Sequence, residues 1–160
     1  MKREMFKSKR QMSEEAVVRA CEKGNHGTLS VNGDDGYPYA VPVNYVYDNG
    51  KIYIHSAEYG YKVDCIKRDD KICFSAIINS KVEQSKFTAA YRSIVATGRI
   101  HAVENENEKR RILEKFIYKM APDYIDGGMK FVENAIGKTL LLCIEIEEIK
   151  GKESMAEMFD

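Results

Sequence analysis

Alternating apolar and polar positions dominate the chain, interrupted by a few stretches of helical period. Ile52 and Ile54 alternate with Tyr53 and His55, the pattern of a half-buried strand, and Ser56-Ala57 ends it. Beyond that break Tyr59, Val63 and Ile66 recur at helical spacing, which predicts a short helix beginning between Glu58 and Gly60. Upstream, Ser13 reads as the N-cap of a helix over about 13–23, with Ala16, Val17, Ala20 and Cys21 as its apolar stripe and Lys23-Gly24 as its stop. Residues 26–31 form a predicted strand closed by a turn at 32–36. Residues 37–47 form the next, with Val41, Val43, Tyr45 and Tyr47 on one face. Pro38 and Pro42 each remove a ladder donor, so they belong at an edge or at a bulge that leaves backbone open. Asp48-Asn49-Gly50 predicts a hairpin that pairs this strand with Ile52 to Ser56, setting Pro42 and Asn44 beside the His55-Ser56 end.

Farther along, residues 71–78 read as a buried strand, 79–86 as a polar connection, and 87–103 as a long strand bent at Gly98. Asn105 caps the clearest helix, which runs to Met120 on a stripe of Ile112, Leu113, Phe116, Ile117 and Met120 and stops at Ala121-Pro122. Gly127-Gly128 opens a shorter helix to Ala135, and residues 139–149 make the last strand. A basic arm over 1–10 and a polar, frayed tail over 150–160 complete the reading. Six strands and four helices, mostly hairpin-linked and without a strand-helix-strand repeat, predict a mainly β (α+β) chain: a six-stranded antiparallel barrel with peripheral helices, in one domain over 1–160.

Composition narrows the function classes. The 25 basic and 25 acidic side chains cancel, which argues against binding nucleic acid or an anionic membrane through bulk charge. No signal peptide and no apolar run of ~18 residues is visible, so neither secretion nor membrane insertion is expected. Cys21, Cys65, Cys73 and Cys143 form no Cys-x-x-Cys, and no two histidines stand at a ligand-like offset. A metal site is therefore not expected, and the cysteines read as reduced core residues of a cytoplasmic protein.

The candidate chemistry sits at the strand-to-helix break. Lys62 falls in the first turn of the short helix, where exposed amides already carry partial positive charge and a cation costs ~0.3–1 kcal/mol. An anion reverses that sign, since amides, the Ser56 hydroxyl and Lys62 can converge on one phosphate. A solvated lysine satisfies the same spacing. His55 is equally compatible with a packed strand histidine, and Arg92 with a surface ion pair.

In order along the chain, Gly27-Thr-Leu-Ser, Gly36-Tyr-Pro-Tyr-Ala-Val-Pro-Val-Asn-Tyr, Ile52-Tyr-Ile-His-Ser-Ala, Gly60-Tyr-Lys-Val-Asp, Lys71-Ile-Cys-Phe, Tyr91-Arg-Ser-Ile-Val-Ala-Thr-Gly and Glu108-Lys-Arg resemble the pyridoxamine 5'-phosphate oxidase-like FMN-binding split barrels. The nearest resemblance is to the nitroimidazole-resistance flavoproteins. It implies a split β-barrel that forms a homodimer, with FMN in clefts at the subunit interface. It also implies that Lys62, His55, Ser56 and Ala57 contact the phosphate and ribityl chain, and that Pro42, Val43 and Asn44 lie along the isoalloxazine ring. Ser93, with Arg92, would reach the flavin's polar edge, and His55 would face a small-molecule substrate as the one candidate catalytic residue. The implied activity is an oxidoreductase passing electrons from a reduced donor such as NAD(P)H to a small acceptor. The alternatives are a non-catalytic flavin, haem or deazaflavin carrier, a redox sensor, or a structural dimer with an empty cleft. True pyridoxamine phosphate oxidases close over substrate with a C-terminal tryptophan and arginine segment. This chain has no tryptophan, so vitamin B6 oxidation is not expected.

Overall fold

A computed structural model describes residues 4–159; the first three residues of the basic arm and Asp160 lie outside the described residues. The elements in order are α1 (Glu14–Lys23), β1 (His26–Asn32), β2 (Pro38–Asn44), β3 (Val46–Asp48), β4 (Lys51–Ser56), α2 (Tyr61–Arg68), β5 (Lys71–Glu83), β6 (Thr88–Ala102), α3 (Glu106–Met120), α4 (Ile125–Ala135) and β7 (Leu140–Ser154). All pairings are antiparallel, and the sheet order is β2-β1-β5-β6-β7-β4-β3.

That order closes the architecture. β2 and β3 occupy opposite edges of the sheet, yet only Tyr45 separates them in sequence. The sheet must curl until its edges nearly meet, bridged by the chain rather than by a hydrogen-bonded ladder, which is a barrel split along one seam. Alternate residues fill its interior, among them Leu29, Tyr45, Ile52, Ile54, Phe74, Ile94, Ile100, Leu142 and Ile144. A second apolar layer lies outside the barrel, where α3 and α4 bring Ile112, Leu113, Phe116 and Val132 onto Tyr53, Leu141 and Cys143.

The mainly β class holds, with seven strands in place of the expected six. Residues 37–47 divide because the chain changes partner at Tyr45: β2 pairs with β1, and only Val46–Asp48 turns back on β4 through the hairpin. The expected pairing of Pro42 and Asn44 with the end of β4 is thus corrected. As an edge strand, β2 tolerates Pro38 and Pro42. β5 continues through 79–83, where a polar connection was expected, after a register shift between Ile77 and Asn79. β7 likewise continues through the tail to Ser154, paired with Tyr91. Just after the basic arm the chain is docked on β7: Gln11 bridges Lys152, and the Met12 amide donates to the Gly151 carbonyl at 3.0 Å, while Arg10, the arm's last residue, donates to the Tyr91 hydroxyl at 3.3 Å. Both predicted caps are present, Ser13 accepting from the Ala16 amide and Asn105 from the Glu108 amide. No helix among the described residues is long and apolar enough to cross a membrane.

Candidate functional site

The site is built where β4 gives way to α2. β4 lies between β3 and β7, with His55 opposite Leu141 and Ser56 opposite Leu140. Its alternation sends Ile52 and Ile54 into the barrel and leaves Tyr53 and His55 on the outer face, Tyr53 buried under α3 and His55 at the exposed margin of that helix. There the His55 ring meets Phe116 edge to face, with centroids 4.8 Å apart and planes at 83°. His55, Leu113, Phe116, Ile117, Phe131 and Val132 line a cavity of about 160 Å³ whose walls are otherwise apolar except for Thr139.

Ala57 to Gly60 is an exposed turn. Gly60 has φ +125°, a value that side-chain-bearing residues rarely adopt, and from there the chain enters α2. Its carbonyl accepts from the amides of Val63 and Asp64 at 2.8 and 3.1 Å. The amides of Tyr61 and Lys62, first in the helix, have no preceding helical carbonyl to bond, and Gly60 offers no side-chain cap. Tyr59, expected on the buried stripe, lies outside the helix and is 83% exposed, whereas Val63, Cys65 and Ile66 are buried.

Lys62 is half-buried and makes no hydrogen bond or ion pair among the described residues. Burial lowers its pKa. His55 is also lowered, first by partial burial and then by the Lys62 charge. Two potential cations thus share one junction, with no carboxylate bonded to Lys62. That donor set, a lysine with no partner among the described residues beside uncapped helix-start amides, fits a phosphate group.

The other expected residues fall into two places. Asn44 lies at the end of β2 with its amide nitrogen 4.0 Å from the Met120 sulfur. Met120 and Phe116 are one turn apart on α3, so that helix, rather than a strand ladder, links Asn44 and His55. Val43 is half-buried against the barrel core, and Pro42 is exposed. Arg92 and Ser93 are elsewhere, on β6. Arg92 pairs with Glu153 at 3.1 Å, and Ser93 is 3.4 Å from the Lys152 carbonyl to which its hydroxyl donates. Ser93 lines a different groove, about 360 Å³, with Pro42, Gly27, Thr28, Ser75 and Ile77. Within one chain, then, His55 and Ser93 line separate cavities. Leu113, Phe116 and Ile117 were legible as a helical stripe, but their part in the His55 cavity was not.

Residues 13–153 match the profile of a family described as pyridoxamine 5'-phosphate oxidase. No curated protein matches the sequence. Among solved structures, the chain is similar to a candidate 5-nitroimidazole antibiotic resistance protein from Bacteroides thetaiotaomicron, at 19% identity and TM-score 0.67 over 89% of this chain and 85% of that one. It is similar to a flavocytochrome from Azotobacter vinelandii, at 16% identity and TM-score 0.76 over 95% and 72% of the respective chains. It is also similar to an FAD- and haem-binding protein from Mycobacterium smegmatis, at 18% identity and TM-score 0.74 over 91% and 74%.

Proposed function

The chain belongs to the pyridoxamine 5'-phosphate oxidase family, and from that premise we propose that it binds a flavin, FMN, with the phosphate seated on Lys62 and the first turn of α2. The observation that carries the reading is Lys62 itself, a half-buried cation without a partner among the described residues, beside helix-start amides that have no preceding helical carbonyl and no side-chain cap. A phosphate monoester matches one lysine and one helix terminus in charge and in donor count.

Ser56 and Ala57 continue the seat toward the ribityl chain. Pro42, Val43 and Asn44 lie along the ring on an edge strand whose backbone is open on one side. In a homodimer with the cofactor between two copies, Arg92 and Ser93 of one copy reach the polar edge of the flavin held by Lys62 of the other. The place of Ser93 in a groove separate from the His55 cavity supports that division.

When bound, the flavin supplies hydride acceptance and electron release. The chain's own residues do the rest. Lys62 and the α2 amides anchor, β2 orients, and the ring of Phe116 on α3 holds one edge of His55 while its other side stays open to a substrate. A lowered pKa keeps His55 neutral near pH 7, so that one ring nitrogen can donate a hydrogen bond to a small acceptor without adding charge. The activity is an oxidoreductase drawing on NAD(P)H or a similar donor, located in the cytoplasm; a carrier or sensor is the reading in which the same cofactor is held without turnover.

The test compares FMN with riboflavin. Lys62→Ala should weaken FMN binding by roughly 10–100-fold, the scale of one or two charge-assisted bonds, and leave riboflavin binding unchanged. Equal loss for both, or for neither, removes the phosphate assignment. Anaerobic bleaching by NADH or NADPH followed by recolouring with a nitroimidazole separates the enzyme from the carrier.

A further inference from the structure

We propose that His101, Cys143 and Glu145 form a binding site for a zinc-type divalent ion on the outer face of the sheet, beside the first turn of α3. No ligand spacing in the sequence suggests it, because the site is assembled across strands. The β6–β7 register sets His101 directly opposite Cys143. Glu145 stands two residues farther along β7 and so shares that face. One ligand atom from each of the three lies within 4.8 Å of the others. Ligands around a tetrahedral zinc ion stand roughly 3.3–3.6 Å apart, so side-chain rotations closing about 1 Å bring these to bonding distance.

The donor set is selective. A thiolate, an imidazole and a carboxylate suit zinc better than magnesium or calcium, which take oxygen ligands. Three protein ligands leave a fourth position for water or a small anion, as in open zinc sites. Cys143 is 1% exposed and flanked by Tyr53 on β4, which makes one wall dry, while His101 and Glu145 are exposed and give the ion a way in. Tyr53 in turn donates to Glu108 at 2.7 Å, tying that wall to α3.

One interaction competes with the ion. Lys51 Nζ is 2.7 Å from Glu145 Oε1, the oxygen that lies 4.0 Å from the Cys143 sulfur. That ion pair is half-exposed and therefore weak. A divalent ion replaces the ammonium, and the thiol proton leaves to solvent as the sulfur bonds the metal. The site uses none of the residues assigned to the flavin, and it stands or falls separately from that reading.

The test is a Co²⁺ titration of the full chain under metal-free reducing conditions, read in the red absorption of tetrahedral cobalt, where flavin does not absorb. Stoichiometric binding reversed by Zn²⁺ is expected. The signal should vanish in Cys143→Ser and weaken at least about tenfold in His101→Ala, since loss of even a supporting group costs that much. His101 is exposed, so that variant keeps its fold. Lys51→Met should tighten binding, and Cys73→Ser should leave it unchanged. Absence of a tetrahedral spectrum, or one that survives His101→Ala at full affinity, overturns the proposal.

Discussion

The imidazole of His55 stands edge-on to the ring of Phe116, with centroids 4.8 Å apart. This contact joins the end of β4 to the middle of α3, so the orientation of the histidine is set by a helix distant in sequence. Phe116 is 5% exposed and belongs to the outer apolar layer. Replacing it with leucine keeps most of the apolar volume but removes the ring that shields the imidazole. Phe116→Leu should cost about 1–2 kcal/mol in urea denaturation. Its His55 should titrate closer to 6.5, the ordinary value, when followed by NMR. A His55 midpoint unchanged in that variant would assign the desolvation to other neighbours.

The same histidine gives a signed pH dependence. Its folded pKa lies below 6.5, from burial first and the Lys62 charge second. Between the folded midpoint and 6.5 the unfolded chain therefore binds more protons than the folded one, and stability of the ligand-free protein rises with pH across that window. Above it the contribution is flat. His55→Gln should abolish the slope. A bound phosphate monoester offsets the Lys62 charge, moves the His55 midpoint up and shrinks the slope. Chemical denaturation across that window, with and without FMN, checks both.

The limits of sequence reading are visible at particular residues. The Ser13 and Asn105 caps, the Asp48-Asn49-Gly50 hairpin and the β4-to-α2 break are local events, governed by neighbours in the chain. Tyr45 is not: alternation runs through it unbroken from Val41 to Tyr47, but the chain there leaves one sheet edge for the other, and Tyr45 turns fully inward against Phe74. The polar tail over 150–154 is a strand because β6 supplies its ladder, a partner that local composition cannot reveal. For the site, Lys62 and His55 could be found from spacing, whereas the cavity wall of Leu113, Phe116 and Phe131 depends on how α3 and α4 dock. The His101, Cys143 and Glu145 cluster depends on β6–β7 register alone.

Gly98 tests the bend in β6. The β6–β7 register shifts between Thr97 and Gly98, and a Cβ on Gly98 would lie 2.1 Å from the Glu145 carbonyl oxygen, a backbone atom that cannot swing aside. Gly98→Ala should destabilise by about 3 kcal/mol, as backbone clashes in packed sheets do. Gly137 is the contrast, since a Cβ there would meet nothing within 4 Å. Gly137→Ala should stay within about 0.5 kcal/mol. Thermal unfolding of the pair separates a steric requirement from the loss of glycine as such.

Asp48 tests what holds α3 over the site. It is 6% exposed at the end of β3 and bonded by two α3 cations one turn apart, Arg111 at 2.8 Å and Lys115 at closer range. Burial by itself would push its carboxyl up, but the bonds from Arg111 and Lys115 outweigh it and hold the pKa below 3.8. This stability is therefore present above 3.8 and lost as pH falls through the folded pKa. Asp48→Asn keeps the shape and removes the charge. It should cost about 2 kcal/mol at neutral pH, less than the ~3–5 of a fully buried pair, because Arg111 and Lys115 can turn to water. The variant should also lose the acid-sensitive limb of the stability curve. Pairing it with Lys115→Met in a double-mutant cycle should give a coupling of about 1 kcal/mol, in the range of contacting pairs. Because α3 also carries Phe116, Asp48→Asn should raise the His55 midpoint even though the two residues do not touch; an unmoved midpoint would mean that α3 is held in place by its apolar face alone.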